Sequence, residues 1–377
     1  IQRLSLLSLE VDAVTKLIKM IEGYKPLQYF AGQIILARGY DIFIADYDFK
    51  NIERIGSVPA SKIKKIAIKM RKISRLLRLD VGPSFLAESS NELLICSSGL
   101  IYVLDIVTGE IDIDFVIPRG SKPLNLVEIN VPGFSRGIYF GEYLSNPNKT
   151  EVRIYRRQAR GRWEVAYKFA DGEINHIHAI VPDKNSDCVY ILTGDFGQAA
   201  AIWKAEKDFS VVRRVVSEGQ ASRACWMAVE NECLHFATDT QLDVNYLTSV
   251  SNLDVSPTKM IRHTPILGSS IYSLKLSDGL MVFSTAVEPD EVKKNKFLAL
   301  FSTEPGPGII SNRAAIYVWS LAGSVEFVFS AKKDILPFRL FQFGSFHFPA
   351  GPAPMDGCFH AYGVGLNGYD NVTLLFK

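Results

Sequence analysis

Two of the six histidines in this chain, His176 and His178, are separated by a single residue in a strand-like segment. Because side chains alternate along a strand, both imidazoles project from the same face, roughly 6 to 7 Å apart along the chain. This arrangement suits two ligands of a divalent metal ion, or a catalytic base with a partner that positions it. Two strand histidines that only form hydrogen bonds are the alternative interpretation.

Other polar side chains follow short apolar segments, at points where strands are expected to end. Glu142 and Tyr143 follow one such segment, and Asp195 follows another. Because strand ends converge in a repeat-built β domain, Glu142 or Asp195 is predicted as a third ligand, and Tyr143 and Glu288 as acid–base groups. Three further residues are predicted to bind substrate: Arg153, Arg223 and Asp239. For Arg223 and Glu288, salt bridges on the surface are an equally good explanation.

The segments that carry these residues are short apolar runs separated by Gly, Pro, Asn and Asp, which is typical of strands. Ten examples span residues 34–36, 42–44, 93–95, 101–104, 138–140, 152–155, 189–192, 234–237, 280–283 and 315–319. Similar turns begin at Thr193 and Thr238, 45 residues apart, within the roughly 40 to 50 residue period of propeller blades. We predict that residues 26–377 form one all-β domain, a β-propeller of six to eight blades with seven favoured. Stacked sheets are the alternative.

Two segments depart from the strand pattern. Residues 1–25 carry apolar side chains at helical spacing before Gly23, which predicts a short N-terminal helical lead. A second helix is predicted as an insertion over residues 61–79, with Ser61 as its N-cap. Its apolar stripe repeats at steps of three and four: Ile63, Ile66, Met70, Ile73 and Leu77.

The predicted insertion is strongly basic. It contains eight Lys and Arg residues and no acid, in a chain whose formal net charge is only +2. A basic amphipathic helix can lie on an anionic membrane surface or bind an acidic polymer. Alternatively, its apolar stripe packs on the propeller and only its basic face meets solvent.

Composition excludes several classes of protein. Lys and Arg total 42 against 40 Asp and Glu, and 47% of the 377 residues are hydrophobic. These values argue against a disordered chain and against a globally basic nucleic-acid-binding protein, so no nucleic acid partner is expected. The five cysteines lack metal-binding spacing and are predicted to be buried small apolar residues. No apolar run approaches the roughly 18 to 20 residues of a membrane-spanning helix.

Several motifs carry a resemblance to a known family. They are Gly141-Glu142-Tyr143, Arg153-Ile154-Tyr155-Arg156, Arg160-Gly161-Arg162-Trp163-Glu164-Val165, His176-Ile177-His178, Thr193-Gly194-Asp195 and Ile202-Trp203-Lys204. Together with residues 285–289 and 329–334, they resemble the bacterial BNR-repeat proteins, which are sialidase-like glycosyl hydrolases. The resemblance implies a sialidase-type propeller with a carbohydrate ligand. It also implies a trio of arginines that holds a carboxylate, for which Arg153, Arg223 and Arg339 are candidates, and a Tyr–Glu pair at residues 142–143.

The turn that marks this family, Ser-x-Asp-x-Gly-x-x-Trp, is incomplete here. Residues 158–163 keep Gly161 and Trp163 but lack the acid and the hydroxyl that tie the hairpin.

Two functions are consistent with these features. The first is a carbohydrate-active enzyme, a hydrolase or a lyase, whose site at a channel mouth acts on or binds an acidic polysaccharide or oligosaccharide. A histidine or a histidine-bound divalent metal would then neutralise the substrate carboxylate or take a proton. The second is a non-catalytic, glycan-binding scaffold that assists cell-surface polysaccharide production. Through its basic helix, such a protein would be found at the bacterial cell envelope or the cytoplasmic membrane face.

Overall fold

The computed structural model describes residues 15–87, 90–253, 258–290, 299–321 and 323–377. In these residues the strands form seven four-stranded antiparallel sheets, so the chain is a seven-bladed β-propeller, as predicted. Blades 1 to 3 comprise β2 (Lys25–Phe30), β3 (Gln33–Arg38), β4 (Asp41–Ala45) and β5 (Ile52–Ser57); β6 (Ser84–Phe85), β7 (Glu92–Ser97), β8 (Leu100–Asp105) and β9 (Ile111–Val116); and β10 (Val127–Ile129), β11 (Gly137–Gly141), β12 (Val152–Ala159) and β13 (Arg162–Phe169).

The remaining strands complete the ring. Blades 4 to 6 comprise β14 (His176–Asp183), β15 (Cys188–Gly194), β16 (Ala201–Glu206) and β17 (Val211–Val216); β18 (Ala228–Glu230), β19 (Cys233–Ala237), β20 (Asn245–Ser251) and β21 (Lys259–Ile266); and β22 (Ser269–Lys275), β23 (Met281–Ala286), β24 (Arg313–Trp319) and β25 (Val325–Lys332). Blade 7 comprises β26 (Ser345–His347), β27 (Phe359–Val364), β28 (Val372–Phe376) and, as its outermost strand, β1 (Leu17–Glu22).

Strand β1 corrects the predicted N-terminal helix. Residues 1–14 lie outside the described part of the chain, but Leu17–Glu22 forms a strand that pairs antiparallel with β28. The backbone N–H of Lys16 also donates to the carbonyl of Lys377 at 2.7 Å. Pairing between the two ends of the propeller closes the ring, and this tertiary pairing overrides the local helical spacing of the apolar residues.

The inner layers of each blade are buried on both faces, because every sheet packs between two neighbours. All residues of β15, β23 and β27 are buried. This explains why the runs at residues 189–192 and 280–283 are continuously apolar instead of alternating with polar residues. All five cysteines are free thiols, and four of them are buried, as predicted.

The basic insertion differs from the single helix that its spacing predicts. It forms two short helices, α1 (Lys62–Ala67) and α2 (Arg71–Leu76), in the connection between blades 1 and 2. Ser61 caps α1 as predicted, since its hydroxyl accepts from the backbone N–H of Lys64 at 3.3 Å. A further helix, α3, is a single turn at Phe338–Phe341. No helix of the described residues has the length and apolarity that crossing a bilayer requires.

The incomplete turn at residues 158–163 obtains its missing acid from the neighbouring blade. Asp114, on β9 of blade 2, accepts from the backbone N–H of Gly161 at 2.9 Å and from Trp163 Nε1 at 2.6 Å. It also forms a two-point ion pair with Arg157, at 2.8 and 2.9 Å. A carboxylate from β9 therefore ties the β12–β13 hairpin and links blades 2 and 3.

Replacing Asp114 with asparagine is expected to lower the free energy of unfolding by about 2 to 3 kcal/mol, because buried Arg157 loses the more deeply buried of its two ionised partners, Asp114 and Glu92. Burial alone would raise the pKa of Asp114, but the bonds from Arg157, Gly161 and Trp163 hold this pKa below its usual value. This stabilisation is present above the unfolded-state pKa of about 3.9. It is lost as the pH falls through the lower folded-state pKa.

Urea denaturation across this acidic range measures the effect. The matched control is Asp112→Asn, because Asp112 lies on the same strand but is exposed, and its ion pair is with exposed Arg160. Equal stability losses in the two variants would contradict the inferred role of Asp114.

Candidate functional site

The predicted site residues meet at one end of the propeller, for a topological reason. Neighbouring strands of each blade run antiparallel, so the link from the second to the third strand and the link to the next blade emerge at the same end, here called the mouth face. Tyr143, Asp195, Asp239 and Glu288 all follow second strands. Arg223 lies in the link between blades 4 and 5. All five residues are therefore carried by the mouth face.

The histidine pair is held in one tautomer by the backbone. His176 and His178 are both buried at the start of β14, and their Nε2 atoms are 3.0 Å apart. Their Nδ1 atoms lie 2.9 Å from the carbonyls of Leu144 and Ala224 respectively. Because a carbonyl only accepts, each Nδ1 must donate its hydrogen, and each neutral imidazole presents a lone pair at Nε2. Two acceptor atoms therefore face each other.

Asp195 adds a third acceptor to this pair. Its Oδ1 atom lies 3.2 Å from Nε2 of His176 and 3.6 Å from Nε2 of His178. Burial alone would raise the pKa of Asp195, but its contacts with the two imidazoles and the charge of Arg223 hold this pKa well below its usual range. Burial lowers the pKa of His178, although Asp195 acts in the opposite direction. The carboxylate is thus ionised beside two imidazole lone pairs.

The three residues His176, His178 and Asp195, here called the metal triad, have the geometry of a divalent metal site. Ligand atoms of a tetrahedral ion at about 2.0 to 2.1 Å are about 3.3 Å apart, close to the observed separations. Metal-binding histidines usually donate their second ring N–H to a carbonyl or carboxylate, and both histidines do so here. The chemistry of the donors therefore fits a zinc-like or manganese-like ion, with positions left for other ligands.

A second cluster adjoins the metal triad in blade 5. Arg223 lies 3.4 Å from both Asp195 and Asp239, and its Nη1 donates to Gln241 at 3.0 Å. The Cys225 thiol donates to Asp239 at 3.2 Å. Burial opposes the charge of Arg223, but the two carboxylates outweigh it and raise the pKa of the guanidinium. Oδ1 of Asp239 and Nε of Arg223 are buried without hydrogen-bond partners among the described residues, although Arg223 Nε lies 3.4 Å from Oδ2 of Asp239.

Tyr143 borders the metal triad on the solvent side. Its ring centroid is 4.5 Å from that of His176 and 6.1 Å from that of His178. The side chain is partly exposed, with 37% of its surface accessible. A phenol at this position is within reach of both solvent and a molecule bound at the metal triad.

Across the channel lies a basic cluster that sequence reasoning missed. Asp80 accepts from Lys25 and from Lys122, both at 2.6 Å. Burial lowers the pKa of Lys25, although Asp80 acts in the opposite direction. Burial alone would raise the pKa of Asp80, but Lys122 and Lys25 hold it far below its usual value. Each of these residues is isolated in the sequence. Only its position at the end of a strand or in a link between blades could have indicated that it belongs to the site.

A cavity of about 240 Å³ joins the two sides of the mouth. Its walls include residues from both clusters and an aromatic pair between them: Lys25, Asp80, Lys122, His178, Cys225, Tyr272 and His347. The rings of Tyr272 and His347 stack with centroids 3.9 Å apart. Burial and then the charge of Lys25 lower the pKa of His347 to about 3, so this imidazole is neutral.

Two predicted residues, Glu142 and Arg153, lie in structural contacts away from the metal triad. Glu142 is buried and accepts from Tyr155 at 3.2 Å, from the backbone N–H of Arg153 at 2.9 Å, and from Arg119. With both oxygens occupied in this way, Glu142 is better explained as a structural acid than as a catalytic group or a metal ligand. The guanidinium of Arg153, a predicted substrate-binding residue, pairs with Glu151.

The arginine trio that the resemblance implies does not assemble. Arg339 is the exposed residue of α3, and its carbonyl accepts from Arg78. Arg223 is already balanced by two carboxylates. Glu288 accepts from the Ser269 hydroxyl at 2.5 Å, and its charge raises the pKa of Arg223, so it borders the second cluster.

Comparisons with known proteins show a similarity in fold and none in sequence family. No protein-family model and no curated protein matches the sequence, so the sialidase-like family is not supported. Among solved structures, a virginiamycin B lyase from Staphylococcus aureus is 11% identical, with a TM-score of 0.55 over 96% of this chain and 99% of that chain. An oligogalacturonate lyase from Vibrio parahaemolyticus is 10% identical, with a TM-score of 0.55 over 97% and 94%. A chain of the mitotic checkpoint complex is 7% identical, with a TM-score of 0.54 over 98% and 94%.

At these identities the similarity concerns the propeller alone, and propellers serve enzymes and assembly scaffolds alike.

Proposed function

We propose that the mouth site binds a carboxylate-bearing saccharide and cleaves it by β-elimination, with the help of a divalent metal ion. The observation that carries the proposal is the convergence of three acceptor atoms, from His176, His178 and Asp195, within 3.6 Å of one another. A cation between the three facing lone pairs would remove their mutual repulsion, and the metal triad lies at the mouth of a cavity. The oligogalacturonate lyase among the similar structures supports this reaction class by fold analogy only.

The charges around the cavity favour an anionic substrate once a cation is bound. The wall from blades 1 to 3 carries Lys25 and Lys122 against a single acid, Asp80. On the opposite wall, a divalent ion in the metal triad would offset the excess of carboxylates. A substrate carboxylate would then meet positive charge on both sides of the cavity, and charge-assisted contacts of this kind give specificity for acids.

β-Elimination needs a neutralised carboxylate and one group that moves a proton. A bound divalent ion would supply the positive charge that makes the proton next to the carboxylate more acidic. Tyr143, beside the metal triad and open to solvent, is assigned the proton transfer from that carbon to the departing glycosidic oxygen. Burial raises the pKa of Tyr143 well above its usual value, so the neutral phenol takes the proton from the carbon while its own hydrogen passes to the leaving oxygen. The C–H and C–O bonds break, a carbon–carbon double bond forms, and Tyr143 is again a neutral phenol after the step.

A panel of acidic oligosaccharides tests the proposal. The protein, loaded in turn with Zn²⁺, Mn²⁺ and Mg²⁺, is incubated with oligogalacturonates, alginate oligomers and neutral cello-oligosaccharides as the control. We expect ultraviolet absorbance from a conjugated, unsaturated uronate with at least one acidic substrate and none with the neutral sugars. Binding without any such product would overturn the enzymatic assignment in favour of a glycan-binding propeller, and no binding to any member would overturn both.

Replacing Lys122 with glutamine is expected to raise KM for the acidic substrate about tenfold while kcat changes little. The reason is that a charged hydrogen bond to the carboxylate contributes about 1.5 kcal/mol or more to binding. Lys122 is partly exposed, so the fold should tolerate the change. Steady-state kinetics with Lys184→Gln, an exposed lysine at the opposite end of the propeller, provides the control. An unchanged KM would remove Lys122 from the substrate site.

A further inference from the structure

The basic insertion presents its apolar residues to solvent instead of to the propeller. Ile63 is 80% exposed, Ile66 64% and Met70 53%, and both Leu76 and Leu77 are exposed. The buried residues of the two helices are instead Ala67, Ser74 and Arg75. The alternative interpretation, in which the apolar stripe packs on the propeller, is therefore wrong for four of its five residues, and only Ile73 is partly buried.

Two arginines explain this orientation. Arg71 forms a two-point ion pair with Asp370, at 2.6 and 2.9 Å. Arg75 pairs with Asp334 and donates to the carbonyl of Phe341 at 2.8 Å. Both aspartates lie in mouth-face connections, Asp370 in blade 7 and Asp334 between blades 6 and 7. Polar anchors thus hold the inner face of the insertion, which leaves the apolar side chains on the outer face.

The other cations of the insertion share this outer surface. Six of them are exposed: Lys62, Lys64, Lys65, Lys69, Lys72 and Arg78. The segment from residue 61 to residue 79 contains no acid, and the two nearby aspartates, Asp334 and Asp370, are already paired. Another large apolar side chain, Ile335, is 90% exposed beside Asp334. Ile63, Ile66, Met70, Leu76, Leu77 and these six cations form what we call the docking patch.

We propose that the docking patch binds an anionic lipid membrane. An acidic polymer would need only the cations, whereas isoleucine, leucine and methionine between lysines match the boundary between anionic headgroups and acyl chains. The docking patch carries six cations and no acid, so its charge complements that of an anionic lipid surface. Exposed apolar side chains of this number are unfavourable in water, and contact with lipid would remove them from it.

The position of the docking patch gives this interaction a consequence. The insertion connects blade 1 to blade 2, so it emerges on the mouth face, and Asp80, which follows it, lines the channel cavity. A protein docked in this way presents the channel mouth to the membrane surface. The proposal does not depend on the reaction assigned to the mouth, because none of the docking-patch residues belongs to the metal triad or the cavity wall.

Co-sedimentation of the whole protein with vesicles tests the proposal. We expect binding to mixed phosphatidylcholine–phosphatidylglycerol vesicles and little binding to phosphatidylcholine alone. The variant K62Q/K65Q/K69Q should bind the anionic vesicles about 100-fold more weakly, since each cation near an anionic surface contributes roughly fivefold. The matched control is K50Q/K184Q/K207Q, which removes three exposed lysines from turns at the opposite end of the propeller and should bind as the unmodified protein does.

A second variant separates lipid from an acidic polymer. I63S/I66S/M70S keeps every cation, and because all three side chains are exposed the fold should tolerate it; circular dichroism checks this. We expect it to lose most vesicle binding while its interaction with soluble polygalacturonate stays unchanged. Vesicle binding that survives this variant, or that falls equally in the control triple, would overturn the proposal. Binding of the patch to polygalacturonate but not to vesicles would assign the docking patch to an acidic polymer instead.

Discussion

Replacing His176 with alanine is expected to lower the affinity for Zn²⁺ or Mn²⁺ by roughly 100-fold or more, because changes in outer-shell partners alone cost 10- to 100-fold. The variant removes one of three acceptors that converge on a single point, while the Nδ1 bond to Leu144 shows that this imidazole is held for Nε2 to act. Isothermal titration calorimetry of chelator-treated protein measures the loss. Elimination activity should fall in parallel, since the substrate carboxylate would lose its neutralising charge.

Thermal unfolding gives an independent measurement of the same site. Free metal at a hundred times Kd should stabilise the unmodified protein by about 2.7 kcal/mol, and this gain should be absent in His176→Ala and in Asp195→Asn. His263→Ala is the control, because His263 is an exposed histidine that bonds Ser249 on the outer part of blade 5. Equal metal binding by the unmodified protein and all three variants would contradict the proposal that the metal triad binds the ion. The histidine pair would then be a hydrogen-bonded pair that shares a proton.

The sequence predicts the fold well because a propeller is a local, repeated structure. Short apolar runs between turns, with a period near 45 residues, are enough to indicate four-stranded blades and to favour seven of them. The same local logic fails at Leu17–Glu22, where the partner strand is Val372–Phe376 at the other end of the chain. It also fails in the insertion, where helical spacing indicates which residues share a stripe but not which side faces the protein. Arg71 and Arg75 decide that side through aspartates that are 299 and 259 residues away, respectively.

The site is predicted only where its members are close in sequence. His176 and His178 form a pair because alternation in one strand puts them on one face, and Asp195 follows the neighbouring strand. The register across these strands, with His176 opposite Gly194, brings Asp195 to the pair. Lys25, Lys122 and His347 come from three other blades, and only ring closure brings them to the same cavity. The role of Asp114 also could not be predicted from sequence, because the turn that it completes lies in another blade.

Replacing Tyr143 with phenylalanine is expected to lower kcat for elimination by roughly 100- to 10,000-fold, the usual contribution of a positioned proton-transfer group, while KM changes only a few-fold. The variant removes one oxygen from a partly exposed ring that keeps its contacts with His176 and His178. Fold, metal affinity and substrate binding should therefore be retained. This separation distinguishes a role in chemistry from a role in structure, which would alter stability or KM as well.

Tyr167→Phe is the matched control, since Tyr167 packs against Phe169 and Phe209 at the outer edge of blade 3. This variant should keep the kcat of the unmodified protein. If Tyr143→Phe keeps full kcat, the proton must be moved by another group at the mouth, and neutral His347, in the wall of the same cavity, becomes the residue to replace. If instead metal affinity falls in Tyr143→Phe, the phenol oxygen acts as a fourth ligand. The metal site would then have four protein ligands, and the ion would have one fewer coordination position for substrate.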